Sequence, residues 1–481
     1  MKLVVNSFGQ AVLVLAVLMA ITGAFAIYAD GAGASMAFLL SALMSAFFGG
    51  GLMLSTASRR RDLNKQESYF LLFLYWLGLP PLAALPFWLG PWSLPAEQAL
   101  FEAVSALTTT GFTVLTEQDG MARSLLLWRA LLQWAGGLMT VVLMVVLLVS
   151  LRVGGLQLFR NAMPHGEGGG SIPDRLLATA RDLLPVYAGF TAVCAICLWI
   201  AGMSGFDALC TALATLSTGG FVTAGASAEM ARPLVQFVLV VFMIVAAVNL
   251  TSLWALVHRR PRPFRRDPEA RYLAWTMAIL ACLLFALLLS VSDAGLVSAF
   301  RQAVFLTVSG MTTTAFLDPT AKDWPLISPV LVIGLLFVGA STASTSGGMR
   351  LLRIAVLFKQ ARRELYRLNH PHGVLPMRIG EQRIDDRAIW GVWSYFFALV
   401  TFTALVAMAL AGLGLGPTGA IAAAVVALTN AGPFAAILSS EFGLVADLPV
   451  ACRAVLILAM LAARLELLTL LIVFYPSYWR R

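Results

Sequence analysis

Four short loops carry the oxygen chemistry of this sequence. They read Thr108-Thr109-Thr110-Gly111, Ser217-Thr218-Gly219-Gly220, Thr312-Thr313-Thr314-Ala315 and Thr429-Asn430-Ala431-Gly432. None holds a general base, a carboxylate or a nucleophile with a partner. They offer hydroxyls, one amide and bare backbone carbonyls, and rings of carbonyl oxygen can replace the hydration shell of an alkali cation. A hard divalent ion would call for carboxylates, and an anion pathway for positive charge; the loops contain neither. Potassium is the natural guess, and oxygen count alone does not separate it from sodium. One such loop between apolar runs would read as a turn or helix cap. The case for an ion pathway rests on the four together.

The elements that must position these loops repeat with them. The preceding segments read ALFEAVSALTTTGF, ALCTALATLSTGGF, AVFLTVSGMTTTAF and AIAAAVVALTNAGPF. Each begins with alanine (Ala99, Ala208, Ala303, Ala420) and reaches Gly111, Gly220, Ala315 or Gly432, positions 109, 95 and 117 residues apart. The short apolar stretches, at 96–107, 206–216, 299–311 and 419–428, are too short to span a bilayer and suit re-entrant helices. Each lies between two longer apolar runs. All four units share one orientation, unlike an inverted repeat. Non-helical backbone at membrane depth is tolerated only where it is packed in protein or lines a watery cavity. Four parallel units therefore imply loops meeting on a pseudo-fourfold axis, with the negative ends of the short helices aimed at it.

Composition supplies the solvent. Of 481 residues, 60% are apolar and 12% charged, with mean hydropathy +0.86. Soluble domains have about 45–50% and about 25%. The sequence predicts an all-α polytopic membrane protein with ten spans, near 11–28, 36–55, 69–89, 125–151, 186–203, 234–258, 272–291, 329–358, 388–413 and 451–475. This excludes a secreted enzyme, a fibrous or disordered chain and a nucleic-acid-binding domain. The first apolar run is expected to be a span rather than a cleaved leader. The net charge of +9 resides in loops. Arg59, Arg60, Arg61 and Lys65; Arg152, Arg160, Arg175 and Arg181; Arg259, Arg260, Arg262, Arg265 and Arg266; and Lys359, Arg362, Arg363, Arg367 and Arg378 fall on one side. The alternate loops hold Glu117, Asp119, Glu229, Asp318, Asp323, Glu441 and Asp447. The basic side is cytoplasmic by the positive-inside rule, which puts both termini inside.

Other signals are weaker. Cys194 and Cys197 form a C-x-x-C on an apolar helix, outside the context of a redox motif. The Gly-rich stretch at 165–171 follows no strand and reads as a connector rather than a phosphate loop. His370-Pro371-His372 offers two histidines, too few for a metal site. The basic loop at 258–271 marks the inner face, and it can also meet anionic lipid or a partner. Arg129, near an interface, reads as a snorkelling side chain. Arg464 lies inside the last span, where an ionisable group is expensive and usually functional or paired; Glu466 and Glu102 are candidate partners.

Taken together, the residues resemble the Trk/Ktr/HKT superfamily of potassium transporters, and within it the membrane subunit of bacterial Trk. Besides the loops, the resemblance rests on Trp128-Arg129-Ala130, Gln133-Trp134-Ala135-Gly136-Gly137 and the small-residue run Gly339-Ala340-Ser341-Thr342-Ala343-Ser344-Thr345-Ser346-Gly347-Gly348-Met349-Arg350. It extends to Phe358-Lys359-Gln360, His370-Pro371 and Arg464-Leu465-Glu466, and covers nearly the whole chain. The two leading spans favour Trk over the shorter Ktr pattern.

The resemblance implies a leading helix pair (1–66) and four pore repeats (67–158, 182–260, 270–368, 384–481). It implies a potassium filter formed by Thr109, Thr110, Gly111, Thr218, Gly219, Gly220, Thr313, Thr314, Ala315, Asn430, Ala431 and Gly432. The run 339–348, with Gly339, Ser341, Ser344, Ser346, Gly347 and Gly348, would be an intramembrane gating loop; the alternative is a close helix-crossing face. Arg464 would be an electrostatic barrier under the filter. The implied protein is no enzyme, has no cofactor of its own beyond bound potassium, and sits in the bacterial inner membrane. It would be a homodimer working with a cytoplasmic nucleotide-binding subunit. Ala315 departs from the glycine pattern: if that backbone needs positive φ, its Cβ costs about 1–2 kcal/mol. A weakly selective or sodium-coupled monovalent cation transporter is therefore the second reading. The fourth loop also departs, with Asn430 and then Pro433.

Overall fold

The computed structural model describes residues 2–56, 63–92, 94–115, 120–148, 172–258, 268–291, 295–319, 328–370, 376–379, 382–439 and 442–467. Several sequence expectations fall outside that set. They concern Arg59–61, Arg152, Arg160, the five arginines of 259–266, the acidic residues Glu117, Asp119, Asp323 and Glu441, the stretch 165–171, Pro371-His372, and the last span beyond residue 467.

The described chain is almost entirely helical. Helices α1 (Lys2–Ala29) and α2 (Ala32–Ser55) form a hairpin. Asp30 at its turn accepts from the Arg123 and Ser124 amides at 2.9 and 2.6 Å, which fixes the hairpin to the start of α6 (Arg123–Leu143). Between them lie α3 (Lys65–Ala83), α4 (Leu85–Leu89) and α5 (Ala96–Leu107). Asn64 and Glu67 start α3 with a reciprocal capping box. The second unit comprises α7 (Ile172–Ile200), α8 (Gly205–Leu216), α9 (Ala224–Glu229), α10 (Pro233–Ala247) and α11 (Leu250–Val257). The third comprises α12 (Pro268–Val291), α13 (Leu296–Met311), α14 (Ser328–Val338) and α15 (Leu351–Asn369). A two-residue antiparallel clip, β1 (Arg378–Ile379) with β2 (Gln382–Arg383), leads to the fourth. That unit comprises α16 (Asp386–Gly412), α17 (Pro417–Thr429), α18 (Ala435–Leu438) and α19 (Val450–Arg464).

Among the described residues, six helices are long and apolar enough to cross a bilayer singly, α3 and α4 together make a seventh such segment over Gln66–Leu89, and α10 and α11 make an eighth if the pair, bent by 100°, is counted as one span. Of the ten apolar segments expected from sequence, 234–258 is interrupted against expectation, and 329–358 is interrupted at the small-residue run, where a loop is one of the two readings. The segment 234–258 breaks at Val248-Asn249, where Asn249 Oδ1 caps α11 on the Thr251 amide at 2.9 Å. The segment 329–358 divides into α14, an irregular run over 339–350, and α15. The tenth is described only as α19 and the few residues after it.

Exposure separates two kinds of helix. Phe47, Trp275 and Trp390 are 84%, 70% and 73% exposed, so α2, α12 and α16 present large apolar side chains outward. Water would not tolerate that surface, whereas lipid does. The short helices are the opposite. The last two turns of α5, α8, α13 and α17 are buried on every side, the pattern of a helix enclosed by protein. Alanine, glycine and valine dominate α17, which lets α16 and α19 pack against it closely.

Candidate functional site

All four short helices end in the same way. Two residues past the last helical turn of α5, α8 and α13, and one past α17, stands a non-glycine residue in the left-handed region: Thr109 (φ 50°), Thr218 (51°), Thr313 (55°) and Asn430 (53°). Helices commonly finish on a left-handed residue, usually glycine. Strain of this kind, about 1–2 kcal/mol per residue, persists where the surroundings over-determine the backbone, and it concentrates at functional sites. Gly111 (82°), Gly220 (79°) and Ala315 (58°) follow two residues later, again with positive φ. The fourth loop differs: Gly432 opens a 3-10 turn, Gly432–Phe434, instead.

The predicted filter residues come together as neighbouring loops. A Cβ on Gly111 would overlap the Gly219 carbonyl, and one on Gly220 would lie 2.5 Å from the Thr314 carbonyl. The Gly432 amide donates to the Thr110 carbonyl at 2.7 Å, and Asn430 Nδ2 donates to Thr110 Oγ1 at 2.8 Å. Loop one therefore meets loops two and four, and loop two meets loop three. The Ala431 amide donates to the Val426 carbonyl at 2.9 Å, and the Gly219 carbonyl accepts from Gln133 Nε2 at 2.6 Å. A carbonyl oxygen has two lone pairs, so one such bond leaves a second acceptor site.

The run 339–350 packs against the helix C-termini at these loops. It folds back on itself through Met349 N to Phe337 O and Leu351 N to Ala340 O, both at 3.0 Å, with Gly339 and Gly348 at φ 64° and 77°. Ser344 Oγ donates to Ser341 O at 2.6 Å and shares a hydrogen bond with Ser346 Oγ at 2.9 Å. Its tip takes up the aligned threonine hydroxyls: Thr218 Oγ1 donates to Thr345 Oγ1 at 3.2 Å, and the Gly347 amide donates to Thr313 Oγ1 at 2.8 Å. A Cβ on Gly347 would overlap the Thr429 carbonyl, so this position requires glycine. The third aligned hydroxyl, Thr109 Oγ1, accepts from Arg464 Nη2. Arg464 also donates to Thr108 O at 2.7 Å and to Thr345 O at 3.0 Å. Arg464 thus joins loop one to the irregular run. Neither candidate carboxylate pairs with it. Glu466 lies 2.8 Å from Arg353 and 3.6 Å from Arg350, and Glu102 pairs with Arg129.

The run is anchored at its base as well. Glu269, at the start of α12, accepts from the Thr342 amide at 3.1 Å and from Thr342 Oγ1 at 2.6 Å. The break between α10 and α11 frees two backbone groups, and the run satisfies both: Ser341 N donates to Ala247 O at 3.2 Å, and Leu250 N to Ala343 O at 3.0 Å. Two interrupted helices thereby complete each other's hydrogen bonding, as buried backbone requires.

Three participants escape sequence reasoning. Arg129 reads from sequence as snorkelling, but it is 2% exposed, with Nε 2.7 Å from Glu102 Oε1 and its guanidinium carbon 4.0 Å from the Phe221 ring centre. The snorkelling reading is therefore corrected: Arg129 lies in the middle of the protein because Glu102 on α5 provides a counter-charge. Gln133, one turn along α6, was visible only as part of a motif. Asn249, an ordinary polar residue in an apolar run, gave a signal only through its cap chemistry.

The family model for TrkH, described as a cation transport protein, matches residues 34–481. The chain is 34% identical to the Trk system potassium uptake protein TrkH of Salmonella typhimurium over 94% of each chain. It is 30% identical to the Trk system potassium uptake protein TrkG of Escherichia coli K12, over 90% of this chain and 89% of that one. The crystal structure of the potassium transporter TrkH from Vibrio parahaemolyticus superposes with a TM-score of 0.89 at 31% identity, covering 100% of this chain and 99% of that chain. The all-α membrane architecture is thus shared with a potassium transporter, in a family of transporters rather than enzymes, and the chain belongs to the TrkH family of cation transport proteins.

Proposed function

We propose that this protein carries potassium across the bacterial inner membrane, through a filter formed by the four loops and closed by the run 339–350. The observation that carries this reading is the set of aligned hydroxyls. Thr109, Thr218 and Thr313 occupy equivalent strained positions in three repeats, and each is engaged by the irregular run or by Arg464. Loop carbonyls and hydroxyls would replace the water around a dehydrated cation. The helix C-termini add negative potential at the same place. Arg464 sets a positive charge beside the loops, which repels a cation and so disfavours occupancy of the inner end. Displacing Thr345 and Gly347 would free the hydroxyls and open the path.

The proposal extends to the orientation and the partners that the sequence resemblance implies. The substrate is K+, the termini face the cytoplasm beside the basic loops, and the chain pairs with a second copy and with a cytoplasmic nucleotide-binding subunit. Bound potassium is cargo, and the chain needs no other cofactor. A second reading, a weakly selective sodium-permeable pathway, is favoured by one observation: Ala315 has a Cβ where Gly111 and Gly220 have none. Flux of K+, Rb+ and Na+ from the purified full chain in liposomes tests both. Preference for K+ and Rb+ supports the first, and equal Na+ flux the second. Absence of any flux, with and without a cytoplasmic partner, would sink the transport reading.

A further inference from the structure

Glu102 and Arg129 form a buried ion pair that the ion path itself does not use. Glu102 lies on α5 with no exposure. Besides Arg129 Nε at 2.7 Å, its carboxylate accepts from Thr113 Oγ1 at 3.1 and 3.2 Å and from the Val114 amide at 3.1 Å. Thr113 and Val114 lead out of loop one, just past Gly111. Arg129 faces the other way as well, with its guanidinium over Phe221, the residue directly after Gly220 in loop two. One ion pair therefore links the outgoing ends of two adjacent loops. In the other repeats the positions aligned with Glu102 are Thr211, Leu306 and Ala423, so none of the three equivalent positions carries a carboxylate.

We propose that Glu102 and Arg129 are positioning residues that set ion discrimination, by holding loops one and two at a fixed separation on their outgoing side. A buried pair of this kind is a poor stabiliser, because apolar residues of similar volume usually serve as well. Its value is directional: the carboxylate fixes two donors of loop one, and the flat guanidinium fixes one ring of loop two. Gln133, four residues along the same helix face, holds the Gly219 carbonyl from the other side. Discrimination between K+ and Na+ depends on where carbonyl dipoles stand and how far they can move. The pair is neutral overall, so it constrains the loops without adding net charge to the path.

The inference rests on the transport reading, and the test separates the two. The full chain is reconstituted in liposomes, and Na+ and K+ flux are compared for the native protein, for the double variant Glu102→Leu/Arg129→Leu, and for Phe221→Leu, which leaves the ion pair in place. Melting of each protein in detergent reports folding. The double variant is expected to fold and to raise the Na+:K+ flux ratio about threefold or more, with Phe221→Leu shifting it the same way by a smaller factor. A folded double variant with the native ratio overturns the inference. If the double variant does not fold, Phe221→Leu decides, and a native ratio there overturns it equally. No cation flux from the native chain would instead overturn the transport reading, and this inference with it.

Discussion

Loops one and three share a hydrogen-bond skeleton and differ by one methyl group. Ser105 Oγ donates to the Phe112 carbonyl at 2.6 Å, and the aligned Ser309 Oγ to the Phe316 carbonyl at 2.8 Å. Thr108 and Thr110 share a hydroxyl hydrogen bond at 2.7 Å, and Thr312 and Thr314 share one at 2.8 Å. The backbone nevertheless departs where Ala315 replaces glycine. Gly111 sits at φ 82° and Ala315 at 58°. The smaller value is the centre of the left-handed basin, the part that a Cβ can enter; the larger is easy only for glycine. In loop one the Thr110 amide closes the turn on Ser105 O at 2.9 Å, whereas in loop three the Ala315 amide, one position later, reaches Ser309 O at 3.2 Å. Rotation about φ turns the preceding peptide, so the Thr314 carbonyl is the oxygen that this methyl redirects. The same fold thus absorbs a side chain by shifting one turn by one residue.

The largest expected effect comes from placing the methyl in loop one. Gly111→Ala meets the Gly219 carbonyl as well as an unfavourable φ, costing about 1–2 kcal/mol in strain alone. K+ flux in liposomes should fall by about tenfold or more; native flux would mean that loop one can re-register as loop three does. Next comes the hydroxyl that holds the irregular run. Thr313→Val leaves the buried Gly347 amide without its acceptor, at a cost of about 1–3 kcal/mol to the contact between the irregular run and loop three. Basal K+ flux should rise about fivefold or more, and by less for Thr109→Val, because Arg464 keeps two carbonyl acceptors there. Equal rises would remove this distinction between the loops.

Ala315→Gly should have a smaller effect, lowering the Na+:K+ flux ratio by about threefold as the Thr314 carbonyl recovers the glycine geometry. An unchanged ratio would show that the alanine turn already selects as the glycine turns do. Smallest are Ser105→Ala and Ser309→Ala, each costing about 1 kcal/mol for one hydrogen bond. Their melting temperatures should fall by matching amounts, and a clear inequality would break the equivalence of the two skeletons.

Much of this site could be read in one dimension. The aligned alanines and aliphatics located α5, α8, α13 and α17, because a helix buried on all sides needs small apolar residues all round. The small-residue run at 339–348 announced a break, since glycine and serine hold a helix weakly. Arg464 stood out as a charge at bilayer depth. Arg129 was misread because its partner is 27 positions away on another helix, and nothing local distinguishes a buried guanidinium from a snorkelling one. The break at Val248-Asn249 was missed because the flanking residues are strongly apolar, and the bend is stabilised by Ser341 and Ala343, almost a hundred residues later.

The sequence by itself determined the solvent, the fourfold plan and the oxygen chemistry, because hydropathy, repeat spacing and residue type are properties of the chain. Tertiary structure alone decided which hydroxyls meet the irregular run, which carboxylate holds Arg129, and how Ala315 is accommodated. Those outcomes depend on backbone dihedrals and on contacts between distant residues, and a buried polar group takes the partner that packing brings to it.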